Sequence, residues 1–165
     1  MKSNHCILLT LITGAALVLG GCGKSEAPAT AAAATDVRVV EITANDTMKF
    51  NVVEIHAQSG EKLRISMTNL GRMPKQAMAH NWVLLTPMSD ADVTAFSMAV
   101  ASRAPDYLPE DRSKILAHLK LLGPNENDTI EITAPSAPGE YPYICSFPGH
   151  ATFMRGKLIV GPAKS

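Results

Sequence analysis

Apolar and polar positions alternate through most of this chain. Leu63, Ile65 and Met67 alternate with Lys62, Arg64, Ser66 and Thr68, and Ile130 and Ile132 alternate with Thr129, Glu131 and Thr133. A period of two sends successive side chains to opposite faces, as in a strand with one face buried. The same reasoning predicts strands over 37–43, 49–56, 80–85, 115–120, 140–145 and 156–160. Eight short strands divided by Gly and Pro turns predict an all-β fold, an eight-stranded Greek-key β-sandwich. One segment changes period. Ser89-Asp90-Ala91-Asp92 has the form of a helix N-terminus, and Val93, Phe96 and Val100 then recur on one face. Pro105 and Pro109 lie beyond the end of this single inserted helix, and the chain shows no internal repeat.

The first 36 residues follow a different pattern. Lys2 precedes an apolar run over 7–19, then Gly20-Gly21-Cys22. A basic start, a short apolar stretch and small residues at the cut are the marks of a signal peptide, here 1–21. The run is shorter than the roughly 20 apolar residues that span a bilayer. A small-residue pair directly before a cysteine looks like a bacterial lipobox, in which the Cys22 thiol is acylated and begins the mature chain. The alternative is an ordinary secretory signal with an unrelated cysteine. Residues 22–36 are rich in Ala and Thr with almost no large apolar side chain, so they cannot join a core and are expected to form a tether. Residues 37–165 are then one domain.

Charge narrows the function classes. Lys plus Arg and Asp plus Glu both number 15. No basic field exists for nucleic acid, and near-neutrality argues against a partner chosen by strong charge complementarity.

The candidate chemistry lies in 145–154. Cys145, His150 and Met154 are spaced C-x4-H-x3-M, and His80 stands upstream in Met78-Ala79-His80-Asn81-Trp82. Two imidazoles, one thiolate and a weak axial thioether form the ligand set of a blue-copper electron-transfer site. Tyr141, Tyr143 and Cys145 alternate and so share one strand face. Pro148-Gly149 then turns the chain so that His150 can return beside Cys145. Each residue alone has a plainer reading: a buried small thiol, a loop histidine, a core methionine, a core histidine before an apolar run. Other readings of the set are a copper chaperone or store, a zinc site, and a thiol hydrolase using Cys145 and His150. Methionine is a poor zinc ligand, and no third group orients the Cys–His pair. His56 and His118 have no partner at ligand spacing and receive no function.

His80-Asn81-Trp82-Val83-Leu84, Ile115-Leu116-Ala117-His118-Leu119-Lys120-Leu121-Leu122-Gly123, Cys145-Ser146-Phe147-Pro148-Gly149-His150 and Asn45-Asp46-Thr47-Met48-Lys49-Phe50 resemble the azurins, within the cupredoxin family. The resemblance covers roughly 37–160. It implies a cupredoxin-like sandwich and one copper ion held by His80, Cys145 and His150 in a plane, with Met154 on the axis. A long contact from the Ala79 backbone carbonyl is also implied, at a position where azurins usually have Gly. Asn81 and the Phe147 backbone N–H are implied to brace the Cys145 sulfur. Azurins usually carry a disulfide joining the first strand to the third; the corresponding positions here are Arg38 and Gly60, so that bond is expected to be absent. The resemblance further implies a monomeric electron carrier, not an enzyme, serving redox proteins such as a cytochrome c, a peroxidase or a nitrite reductase. Electrons are expected to leave through His150, whose ring edge should reach the surface amid Met73, Pro74, Met78, Pro148 and Phe153. Lipid-modified azurins with Ala-rich linkers exist, so the expected location is the periplasm-facing cell envelope. Gly23 and Lys24 after Cys22 provide no retention Asp, which favours the outer membrane.

Overall fold

The computed structural model describes residues 37–163. The signal peptide, the Cys22 lipid site and the tether expected over 1–36 lie outside the described residues. Eight strands form: β1 (Arg38–Ala44), β2 (Glu54–Gln58), β3 (Lys62–Asn69), β4 (Val83–Leu85), β5 (Ile115–His118), β6 (Asn127–Thr133), β7 (Gly139–Ile144) and β8 (Arg155–Gly161). They make a three-stranded sheet, β1-β3-β6, and a five-stranded sheet, β2-β8-β7-β4-β5. Both sheets are mixed, since β1 runs parallel to β3 and β2 parallel to β8. The architecture is the expected cupredoxin-like β-sandwich.

The alternating residues meet between the sheets. Leu63, Ile65 and Met67 of β3 are fully buried and join Val40, Ile42, Tyr141, Tyr143, Leu158 and Val160 in the main core. The helix α2 (Asp90–Val100) begins where its sequence predicts. The Ser89 hydroxyl accepts from the Asp92 N–H at 3.2 Å and donates to the Asp92 carboxylate at 2.6 Å. Val93, Phe96 and Val100 are its buried face, in a second cluster with Val83, Leu85, Leu108, Ile144 and Ala151. A one-turn helix, α1 (Lys75–Met78), and a 3-10 turn, His150–Thr152, were not legible in the pattern.

Three strands are shorter than expected, among them the one predicted over 115–120, which ends at His118. The predicted strand over 49–56 forms a ladder only from Glu54. Met48 takes a left-handed φ of 54°, and Asn51 is tied to β1, its side chain accepting from the Thr43 N–H at 2.6 Å and its own N–H donating to the Thr43 carbonyl at 3.1 Å. Residues 50–53 therefore cross from one sheet to the other before pairing begins. The strand predicted over 80–85 is regular only from Val83. His80 instead makes an isolated bridge to Leu122.

Arg38, at one of the two positions where the resemblance implies a disulfide in azurins, makes a polar link instead. Arg38 donates from Nε to Glu61 at 2.6 Å and from Nη2 to the His56 carbonyl at 2.6 Å, while Glu61 also accepts from the Gln58 N–H at 2.8 Å. One guanidinium thus joins the start of β1 to β2 and to the β2–β3 turn, where Gly60 adopts φ 77°.

Candidate metal centre

The ends of two elements and one loop build the site. β7 delivers Cys145 one residue past its last paired position, on the core side with Tyr141 and Tyr143. Phe147 to His150 close a tight turn with a His150 N–H to Phe147 carbonyl bond of 3.0 Å. Gly149 sits third in that turn at φ 82° and ψ −16°, the type II position that excludes a Cβ at low cost only for glycine. The 3-10 turn follows, and the Met154 N–H donates to the His150 carbonyl at 2.8 Å. The loop closes on itself when the Cys145 N–H donates to the Met154 carbonyl at 3.0 Å. His80 arrives from the other side, locked to Leu122 by two backbone bonds of 3.0 and 2.7 Å.

Among the described residues, His80, Cys145 and His150 form a buried cluster of metal-competent donors. Cys145 Sγ lies 4.0 Å from His80 Nδ1 and 3.6 Å from His150 Nδ1, and the two nitrogens are 3.2 Å apart. A point in that plane is about 2.1 Å from all three atoms, within the roughly 2.0–2.3 Å range of metal–imidazole and metal–thiolate bonds. Met154 is fully buried in the same core cluster as Cys145. The Ala79 carbonyl lies 4.0 Å from Sγ.

Electrostatics prepare these donors. Burial lowers the pKa of His150 to about 4, with the neighbouring His80 adding to the effect, and burial also lowers that of His80. Both rings are therefore neutral near pH 7 and offer lone pairs. Burial pushes the Cys145 thiol up to about 12, opposed by the backbone N–H groups of Asn81 and Phe147. A thiol so raised becomes a thiolate only beside a strong positive charge. The Asn45 carbonyl raises the His80 pKa, yet His80 Nε2 is buried without a hydrogen bond of good geometry. Three soft and borderline donors converging in an apolar core fit a copper ion.

Sequence reasoning missed part of the support. Asn81 bonds the loop through its side chain: Oδ1 accepts from the Ser146 N–H at 2.8 Å and Nδ2 donates to the Ser146 hydroxyl at 2.9 Å. The only signal for Ser146 was its place after Cys145. Asp46 accepts from the backbone N–H groups of Arg72 and Met73 at 2.9 and 3.4 Å, holding the segment before His80. His150 is more enclosed than expected, at 4% exposure against zero for His80, Cys145 and Met154. Phe147 lies against its ring at 4.7 Å, tilted by 45°, and Tyr107 meets Phe147 edge-on at 5.2 Å. Of the expected apolar surface, Phe153 is 63% and Met73 42% exposed, Pro74 is exposed, and Met78 and Pro148 are half-buried. Leu70, at 56%, was not foreseen. His56 and His118 are exposed and are not among the clustered donors.

Comparison with known proteins agrees with this geometry. The model of a family described as copper binding proteins, plastocyanin/azurin family, matches residues 37–161. Azurin of Pseudomonas aeruginosa is 36% identical over 124 residues, covering 73% of this chain and 83% of that one. Azurin of Achromobacter denitrificans is 37% identical over 120 residues, covering 71% and 80%. Among solved structures, auracyanin A, described as a "blue" copper protein from Chloroflexus aurantiacus, superposes with a TM-score of 0.68 at 33% identity, covering 74% of this chain and 98% of that one.

Proposed function

Since this chain belongs to the plastocyanin/azurin family of copper-binding proteins, we propose that it shuttles single electrons between periplasmic redox partners from a lipid-tethered position at the cell envelope. The observation that carries the proposal is the triangle of His80 Nδ1, Cys145 Sγ and His150 Nδ1, closed to bonding distance of one ion with Met154 buried beside it. In the proposed assignment these three would hold the copper ion, and Met154 would add a weaker thioether donor. Copper supplies a one-electron couple between Cu(II) and Cu(I). The protein contributes a site that need not rearrange: Cys145 and Met154 are joined through the backbone, His80 is pinned to Leu122, and Asn81 holds the loop at Ser146. The N–H groups of Asn81 and Phe147 stabilise negative charge on the sulfur. Electrons exit through His150, the least buried of the four, across the layer of Phe147. The exposed Met73, Phe153 and Leu70 then form an adaptable apolar face for brief docking with a cytochrome c, a peroxidase or a nitrite reductase.

The deciding experiment is the visible spectrum of the copper-loaded protein. Intense thiolate-to-copper absorption is expected, and Cys145→Ser should abolish it. A colourless copper-loaded wild type would instead favour a chaperone or store. The location has its own test. Mass spectrometry should find acylated Cys22 at the mature N-terminus, and Cys22→Ala should lose membrane attachment. Attachment unchanged in that variant, which has no thiol at 22 to acylate, would overturn the tether.

A further inference from the structure

One cation in the immediate neighbourhood of the site has no part in the ligand set. Arg155 directly follows Met154 and opens β8, where it pairs with Ile144 at the end of β7. Its side chain turns back along the loop. Nε donates to the Ala151 carbonyl at 2.7 Å, and Nη1 lies 3.9 Å from the Asp90 carboxylate in the first turn of α2. Ala151 is inside the turn that carries His150, and its methyl is buried in the cluster under the helix with Val93, Phe96 and Val100. The inserted helix therefore meets the ligand loop twice, through apolar packing on Ala151 and through the Arg155 fork.

We propose that Arg155 is a positioning residue for the metal centre: it fixes the His150–Thr152 turn against α2 and so restrains the His150 ring when the site changes oxidation state. The inference rests on the copper-site reading and extends it beyond the ligands. The Ala151 carbonyl bond dominates, because it is partly buried and charge-assisted. The Asp90 contact is long and its carboxylate is 89% exposed, so it contributes direction more than strength. Lysine could place a charge there but has no fork to reach carbonyl and carboxylate together.

Arg155→Met keeps much of the apolar stem and removes every donor, whereas Arg155→Lys keeps the charge. Lys157→Met serves as the control: it removes one positive charge from the same strand, and Lys157 bonds Glu140 rather than the loop. Amide hydrogen exchange on the metal-free protein should show loss of protection at Thr152, Phe153 and Met154 in Arg155→Met, several-fold or more, with β1 and β3 unchanged. The copper-loaded Arg155→Met should keep its thiolate band but exchange electrons with itself several-fold more slowly, and Arg155→Lys should recover only part of that rate. An equal slowing in Lys157→Met would reduce the effect to charge alone and overturn the proposal. So would unchanged loop exchange in metal-free Arg155→Met, or a uniform loss of protection across the domain. Absence of a thiolate band in the wild type would count against the copper reading, while the metal-free exchange data would still decide the clamp.

Discussion

At the residue scale, the same burial that makes His150 and His80 good ligands is a liability without metal. The unfolded chain binds a proton on His150 near its ordinary 6.5, the folded chain only near 4. The unfolded state therefore holds more protons between those values, and stability of the metal-free protein should fall as pH drops from about 6.5 towards 4. Cys145 works at the opposite end. Its thiol titrates near 9 when unfolded and about 12 when buried, so metal-free stability should fall again above pH 9. Urea melts of metal-free protein across this range should trace a plateau with two shoulders; a flat profile below pH 6.5 would mean the histidines are solvated. Met154 is a different case. In the proposed assignment Met154 would be a weak donor to the copper, so Met154→Leu should keep the visible band and raise the reduction potential by losing a donor that favours Cu(II). Voltammetry and a spectrum of one sample check both, and a colourless variant would make Met154 a principal ligand.

At the element scale, β7 and β8 meet where an aromatic lies over a glycine. Tyr143 pairs with Gly156, is fully buried between Phe50 and Trp82, and donates its hydroxyl to the Val52 carbonyl at 2.8 Å. A Cβ at Gly156 would overlap the Tyr143 ring and hydroxyl. The ring is boxed in by core residues and cannot move aside. Gly156→Ala should therefore destabilise the protein by about 1–3 kcal/mol, the usual range for overpacking, while leaving the metal-loaded spectrum close to wild type. A denaturant melt with no shift in midpoint would show that β8 can slide. The helix is an element with two jobs in one sequence. Its periodicity reports only that Val93, Phe96 and Val100 need cover, and the structure supplies Ala151 of the ligand loop as part of that cover.

At the scale of the whole molecule, stability depends on the core, polar links and metal. Cys145 is the free cysteine among the described residues, and Arg38 holds the start of β1 by an ion pair to Glu61. Surface ion pairs contribute about 0–1 kcal/mol, well below the roughly 2–4 kcal/mol of a disulfide. Copper, which binds the folded site and not the unfolded chain, should make up the difference. Calorimetry should show a clear rise in Tm on copper loading. A disulfide-cleaving reductant should leave the metal-free Tm unchanged; a reductant-sensitive melt would indicate Cys22 paired with Cys145.

The division between sequence and tertiary structure follows the range of the interactions. Strand alternation, the Ser89 cap and the C-x4-H-x3-M loop are local, set by period, turn chemistry and spacing over a few residues, and all are readable along the chain. The ligand types are equally local, since thiolate, imidazole and thioether carry their chemistry with them. What required the fold was every relation between distant segments. The convergence of His80 on Cys145 across 65 residues, the Asn81–Ser146 latch, the cover of Phe147 over His150 and the Arg155 contact with Ala151 under α2 depend on which strands pair and where the chain crosses sheets. The early end of regular pairing at Val83 belongs to the same class. Nothing in the residues 80–82 forbids a strand, but Leu122 takes His80 into a lone bridge, and that displacement from the ladder brings its imidazole beside Cys145.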